Sequence, residues 1–231
     1  MNDTLKSLGC DYVYQDSPVD FSAPVVARTA SVQPAYSAHL AYSCKTLEEL
    51  KNAMLAFTGC SLKETAINTV FCDGNPNADV MLVGEAPGAD EDMQGLPFVG
   101  QSGQLLCKIF QSIGLPRDKL YISNILPWRP PGNRTPTNEE IASCEPFIEQ
   151  HIHLVKPKLL VFLGGVSAKT LLKTTEGITK LRGQFHEYQT HHGDAIPCFA
   201  TYHPAYLMRS PGQKAQVWHD MLKIKLRLAS A

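Results

Sequence analysis

The chain has 231 residues, 44% of them hydrophobic and 19% charged, with a formal net charge of -1. That length supports one full-sized core plus a tail, and the composition is that of an ordinary globular protein. The near-zero charge excludes a globally basic coat, so any nucleic-acid contact must come from a local patch. No apolar run reaches the ~20 residues needed to span a bilayer, so no membrane partner is expected. The N-terminus carries Asp3, Lys6 and Asp11 without an apolar core segment, which does not read as a secretory leader. The seven cysteines, at 10, 44, 60, 72, 107, 144 and 198, are odd in number and contain no C-x-x-C pair. Free thiols in a reducing cytosol, and so a cytoplasmic address, are expected.

Residues 1–44 read as an N-terminal tail. Residues 1–14 could hold a short helix, and 17–43, with Pro18, Pro24 and Pro34 among Ala, Ser and Val, reads as a flexible linker. Structure is expected from Thr46, where Thr46-Leu47-Glu48-Glu49 fits a capping box and Leu47, Leu50, Met54 and Leu55 follow at helical spacing. Residues 80–83 read as a buried strand, 103–113 as a helix stopped by Gly114, and 120–125 as a second strand. Thr137-Asn138-Glu139-Glu140 opens a helix to about Val155, with Ile141, Cys144, Ile148 and Ile152 on one stripe. A strand at 159–163, a helix at 167–172, strands at 185–188 and 197–201 and a closing helix at 214–228 complete the pattern. Alternating strands and helices predict a three-layer α/β/α sandwich with a central, mostly parallel sheet over residues 45–231.

Two strand ends carry chemistry. Val80-Met81-Leu82-Val83 breaks into Gly84-Glu85-Ala86-Pro87-Gly88-Ala89-Asp90-Glu91-Asp92, and Cys198-Phe199-Ala200-Thr201 breaks into Tyr202-His203-Pro204-Ala205-Tyr206-Leu207. Open α/β sheets bind ligands beyond the carboxyl ends of their strands, so Glu85 and His203 would share a crevice if these strands lie side by side. Gly84, Pro87 and Gly88 permit a sharp, stiff turn presenting amides and one carboxylate, whereas the run Asp90-Glu91-Asp92 reads as a solvated surface. Phe98, between Pro97 and Gly100, could stack on a planar ring. Asn124, at the end of a strand, offers a donor and an acceptor together, which matches the imide edge of a pyrimidine. His203, extended by the following Pro204, could donate to developing negative charge. The loop 127–134 is rigid, basic and aromatic, and suits phosphate contact or packing. Each feature alone reads as an ordinary turn or core residue; together, each at a strand end, they read as a site.

These segments closely resemble family 4 of the uracil-DNA glycosylase superfamily. The resemblance rests on Gly84–Asp92 with Gly95-Leu96-Pro97-Phe98-Val99-Gly100, on Tyr121-Ile122-Ser123-Asn124, on Arg129-Pro130-Pro131-Gly132-Asn133-Arg134, on Leu181-Arg182-Gly183, and on His203-Pro204-Ala205-Tyr206-Leu207-Met208-Arg209. It covers residues 60 to about 225. It implies the superfamily fold and an enzyme that flips uracil out of DNA and hydrolyses its N-glycosidic bond, leaving an abasic site for base excision repair. It assigns Glu85 and His203 to catalysis, Phe98 to stacking, Asn124 to reading uracil, and Gly84 and Ala86 to nearby backbone. It makes Arg129, Arg134, Lys180, Arg182 and Arg209 candidates for phosphate contact, and Leu207 and Met208 candidates for the wedge that fills the vacated stack.

The family pattern also carries four cysteines for a [4Fe-4S] cluster. Here the first and third positions hold Phe57 and Trp128, and only the second and fourth hold thiols, Cys60 and Cys144. Two thiolates do not make a Cys₄ site, so an apolar plug is expected in place of a cluster, with no cofactor needed for chemistry; Cys72 or Cys107 could substitute only from outside the motif. A related branch carries a Lys/Arg-rich insertion whose histidine links to DNA; residues 133–144 lack it, which implies turnover. The expected partner is uracil-containing DNA, single- or double-stranded, bound by a monomer, with the tail a candidate tether for a repair or replication partner. Alternatives are a glycosylase for another deaminated base, hypoxanthine or xanthine, and a catalytically silent DNA-binding or polymerase-associated module. A nucleotide hydrolase is the weakest rival, because no G-x-x-x-x-G-K run is present.

Overall fold

The computed structural model describes residues 33–230, all within one compact unit. The expected helix at 1–14 lies outside the described residues. Six strands build one sheet: β1 (Asp73–Gly74), β2 (Val80–Gly84), β3 (Leu120–Asn124), β4 (Leu159–Leu163), β5 (Phe185–Gln189) and β6 (Ala195–Thr201), in the order β1-β3-β2-β4-β6-β5. The inner four run parallel, and β1 and β5 are antiparallel edges. Strands β2, β3 and β4 are buried on both faces, which is why they read as near-continuous apolar runs. Their residues alternate between two cores. Met81, Val83, Tyr121, Leu160 and Phe162 enter one, and Val80, Leu82, Ile122, Leu159 and Val161 enter the other.

On the first face pack α1 (Gln33–Tyr42), α2 (Leu47–Ala56), the short α3 (Leu62–Thr65) and the long α6 (Asn138–Val155). On the second lie α5 (Gln101–Gln111) and α10 (Lys214–Ala229). The result is the three-layer sandwich read from the sequence. Helix α6 begins with a complete capping box: Glu140 N–H donates to Thr137 Oγ1 (3.2 Å) and Thr137 N–H to Glu140 Oε2 (2.8 Å). Helix α2 is capped by Thr46, which accepts from Glu49 N–H (3.1 Å), but Glu49 reaches back to the Lys45 amide (2.6 Å) instead of closing on Thr46.

The segment read as linker is helical over its last part. Pro34 falls in the first turn of α1, where a missing N–H costs nothing. Ser37 and Ala41 are buried against α6, Gln150 Nε2 donates to the Cys44 carbonyl (2.6 Å), and the Tyr42 hydroxyl donates to Glu149. The ordered fold thus begins ahead of residue 45.

Strands β2 and β6 are not neighbours. β4 lies between them, and it ends in Gly164 at φ 97°, a conformation that favours glycine. A Cβ at Gly164 would stand 3.0 Å from the His203 Cβ. The four inner strands end level with one another, and the missing Cβ at Gly164 leaves room for His203 over the end of the middle strand.

Candidate active site

The carboxyl ends of β2, β3 and β6 open into one cleft of about 400 Å³. Glu85, Ala86, Pro87 and Gly88 follow β2, Asn124 ends β3, and His203, Ala205 and Arg209 follow β6; Phe98 and Ser102 close one side and Pro130, Asn133 and Arg134 the other. The sequence reading placed Glu85 and His203 over one crevice, and the structure brings both into it with Phe98, Asn124 and Ala86.

The pairing of Gly84 with Asn124 across β2 and β3 sets the floor. A Cβ on Gly84 would lie 2.3 Å from Asn124 Oδ1 and 2.6 Å from Phe98 Cζ. Only a glycine lets the amide and the ring converge at this point. Asn124 Oδ1 is buried and has no hydrogen-bond partner among the described residues. An orphaned acceptor of this kind carries a desolvation penalty of about 1–3 kcal/mol until a donor arrives. Phe98 is buried, and its ring centroid lies 5.6 Å from that of His203 at an interplanar angle of 34°.

His203 caps the short helix α9 (Pro204–Arg209). Its Nδ1 accepts from the Ala205 N–H at 3.1 Å, so a neutral ring carries its proton on Nε2. Burial of the ring, and then the nearby Arg209 charge, push its pKa down to about 4, against a weaker opposing pull from Glu91. The imidazole is therefore neutral at physiological pH and available as a donor. Glu85 has its pKa raised by burial. It is a carboxylate held where its charge is poorly solvated and would gain from a cation beside it.

Only Asp90 of the acidic run is exposed. Glu91 and Asp92, on α4 (Ala89–Gln94), are buried because each carboxylate gathers loop amides. Glu91 accepts from Gly88 (3.1 Å), Val99 (2.9 Å) and Gly100 (2.9 Å), and Asp92 from Ile67 (2.9 Å) and Asn68 (3.1 Å). The sequence reading of a solvated surface missed this, since burial of an acid shows only when its partners are in place.

The candidates for DNA contact separate. Met208 is 43% exposed and Lys180, Arg129 and Arg209 reach the surface or the cleft, but Leu207 is fully buried in the second core and cannot act as a wedge. Its neighbour sits one helical step away and faces out. Arg182 is committed to Asp220 through Nε (3.3 Å) and Nη2 (2.6 Å), to Gln216 through Nη1 (2.8 Å), and lies 5.0 Å over the Tyr202 ring. Beside β6, where it bridges Ala200, it reaches across to α10 and spends four of its five N–H donors within the fold. Arg134 grips Glu140 with both terminal nitrogens (2.9 and 2.5 Å) while lining the cleft, and Arg129 Nε donates to Asn133 (2.7 Å).

Phe57, Cys60, Trp128 and Cys144 are all buried in the first core. The Phe57 and Trp128 rings lie 6.3 Å apart and near-parallel, at 19°, with Phe147 edge-on to Phe57 at 5.2 Å and Tyr36 of α1 at 6.0 Å. Trp128 Nε1 donates to Thr69 Oγ1 (2.9 Å). Lys63, which the sequence reading passed over, holds its ammonium 5.9 Å from the Trp128 ring centre while donating to the Phe57 carbonyl (2.9 Å). The Cys144 thiol is hydrogen-bonded to Cys60 and pushed well above the ordinary thiol range, first by that bond and then by burial. The Phe57 and Trp128 rings offer no ligand atom, and the two thiols beside them do not make the four-thiolate set that an iron-sulfur cluster requires. Cys72 and Cys107 are engaged elsewhere, with Tyr121 and with Arg117 respectively. Among the described residues, no group of three or more His, Cys, Asp or Glu side chains is arranged to hold a metal ion.

A cleft at the strand ends of a three-layer sheet, with an aromatic face, an unpaired amide oxygen and a neutral histidine, defines a protein built to handle a flat heterocycle. The family model described as uracil DNA glycosylase superfamily matches residues 71–222, and the chain belongs to that superfamily. Within it, the chain is 37% identical over 185 residues to the type-4 uracil-DNA glycosylase of Sulfurisphaera tokodaii, covering 78% of this chain and 84% of that relative. It is 38% identical over 176 residues to the type-4 enzyme of Saccharolobus solfataricus (74% of this chain, 81% of the relative). It is 36% identical over 171 residues to that of Thermotoga maritima (73% and 87%).

Proposed function

We propose that the protein is a uracil-DNA glycosylase that takes a flipped uracil into this cleft, hydrolyses its N-glycosidic bond, and does so without an iron-sulfur cluster. The observation that carries the reading is the orphaned Asn124 Oδ1 beside the Phe98 ring. Uracil N3–H is the donor that oxygen lacks, and the amide nitrogen of the same side chain answers O4. Cytosine presents an acceptor at N3 and a donor at C4, so it leaves the buried oxygen facing a lone pair. Stacking on Phe98 fixes the plane of the base.

As the glycosidic bond stretches, negative charge gathers on uracil O2 and positive charge on the sugar. His203, neutral with its proton on Nε2, donates to O2 without surrendering a charge of its own. Glu85 stabilises the oxocarbenium-like sugar and orients the water that adds to C1′. The uracil anion leaves and takes up a proton from solvent. Met208 fills the space in the stack, and Arg129, Arg134, Lys180 and Arg209 supply the local positive field that a net charge of -1 does not. The Phe57–Trp128 plug ties α2 and the loop after β3 to α6 in place of a cluster. The enzyme works as a monomer in the cytoplasm.

The test is alkaline strand nicking on matched oligonucleotides bearing uracil, hypoxanthine, xanthine or cytosine, with iron and acid-labile sulfide measured on the same preparation. Nicking at uracil and not at cytosine, with neither iron nor sulfide at stoichiometric level, is the expected result. Nicking confined to hypoxanthine or xanthine overturns the base assignment. About four irons per chain with activity lost on their removal overturns the cluster-free reading.

A further inference from the structure

Phe98 has φ 53°, in the left-handed region that L side chains seldom occupy. An aromatic residue there costs about 1–3 kcal/mol and persists only when its surroundings over-determine it. Two groups do so from opposite sides. Glu91 holds the amides of Val99 and Gly100 (both 2.9 Å). Arg117 holds the carbonyls, with Nη2 donating to Pro97 O (2.6 Å) and Nη1 to Phe98 O (2.9 Å). The twist at Phe98 turns these two consecutive carbonyls to one side, where a planar guanidinium can take both at once. Nη1 also lies 3.5 Å from Cys107 Sγ, and Nε donates to Asp73 Oδ2 (2.6 Å), which fixes the plane of the fork from edge strand β1.

We infer that Arg117, oriented by Asp73, is a positioning residue for the stacking ring: it sets where the base lies without touching it. Arg117 does not line the cleft. It stands in the turn Arg117–Lys119 that leads directly into β3, whose far end carries Asn124. One short element therefore places both the amide that reads the base edge and the clamp that holds the ring beneath the base. A lysine cannot replace it, because a single ammonium does not bridge two carbonyls and Asp73 in one plane. This inference rests on the glycosylase reading, since the ring matters only if a base stacks on it.

The test is a double-mutant cycle between Arg117→Ala and Phe98→Ala, read as the single-turnover rate of uracil release, with the melting temperature recorded for each variant. A ring displaced by about 1 Å costs on the order of tenfold to a hundredfold. Arg117→Ala is expected to slow release by that factor in the otherwise natural protein, and to add less than twofold once Phe98 is already alanine. Arg117→Lys is expected to recover less than half of the loss on a logarithmic scale. Asp73→Asn, which leaves the guanidinium in place and perturbs the fold least, is expected to slow release severalfold and to show the same dependence on Phe98. If Arg117→Ala or Asp73→Asn lowers the rate by the same factor with and without the Phe98 ring, the positioning role is refuted while the glycosylase reading stands. If the natural protein releases no uracil, the glycosylase reading fails and takes this inference with it.

Discussion

Gly84→Ala is the sharpest perturbation of the base pocket that leaves every functional side chain in place. The added methyl would sit 2.3 Å from Asn124 Oδ1 and 2.6 Å from Phe98 Cζ. Ordinary contact begins near 3.4 Å, so the amide and the ring must each retreat by about 1 Å. Both are ends of side chains and can give way, so the fold survives. Overpacking of this size costs about 1–3 kcal/mol, or a fall of several degrees in melting temperature for a chain of this length. The retreat is far more damaging to catalysis, because it moves the group that reads the base edge and the surface that holds the base plane together. A misplacement of about 1 Å is worth on the order of 10²-fold. Single-turnover release of uracil, compared with the melting curve of the same preparation, separates the two effects. A variant that melts several degrees lower but cleaves within twofold of the natural rate would show that these two side chains do not frame the substrate.

His203→Ala and Glu85→Ala should each slow uracil release by at least tenfold with little change in melting temperature, whereas Phe98→Ala should both slow single-turnover release and raise KM; strand nicking under single- and multiple-turnover conditions distinguishes them. Burial raises the Glu85 pKa, so the folded state holds that proton more tightly than the unfolded state and the group's contribution to stability is lost as pH rises through its folded pKa. Glu85→Gln should therefore melt higher than the natural protein at pH 7 while losing activity, and a lower melting temperature would contradict the assigned burial. His203 and His151 have folded pKa values pushed down by burial to about 4 and about 3, so stability should fall as pH drops from about 6.5 toward those values, in a thermal melt followed against pH. Arg182→Ala strands Asp220, whose side chain is 1% exposed, and should cost about 3–5 kcal/mol of stability while leaving the salt dependence of DNA binding unchanged. Met208→Ala should slow cleavage of double-stranded more than single-stranded substrate without destabilising the fold, and Leu207→Ala should do the reverse, losing about 2–5 kcal/mol.

The inner sheet was legible because burial on both faces leaves a plain signature: the apolar runs at 80–83, 120–125 and 159–163 match strands to within a residue or two. Helix α6 was legible at both ends, by the capping box at its start and by its apolar stripe. Helix α1 was not, because QPAYSAHLAY has small residues where a periodic stripe would show, and its helicity rests on packing against α6. Helix α9 was hidden by Pro204, which reads as a breaker but occupies the first helical turn, where proline is tolerated. The identities of Glu85, Phe98, Asn124 and His203 could be read from their strand ends, yet the strand between β2 and β6, and the glycine that leaves room for His203 over its end, could not. Sequence could not tell Leu207 from Met208, which are adjacent and both apolar, since a single helical step decides which one faces solvent. Nor could it join Arg117 to Phe98, because nineteen residues separate them and only the fold makes them neighbours.

The most direct measurement is the position of uracil in a crystal of the product complex with abasic DNA. The account predicts the base stacked on Phe98, N3 within 2.7–3.2 Å of Asn124 Oδ1, and O2 facing His203 Nε2. A uracil bound outside this cleft, or inside it with Asn124 Oδ1 still unpaired, would contradict it.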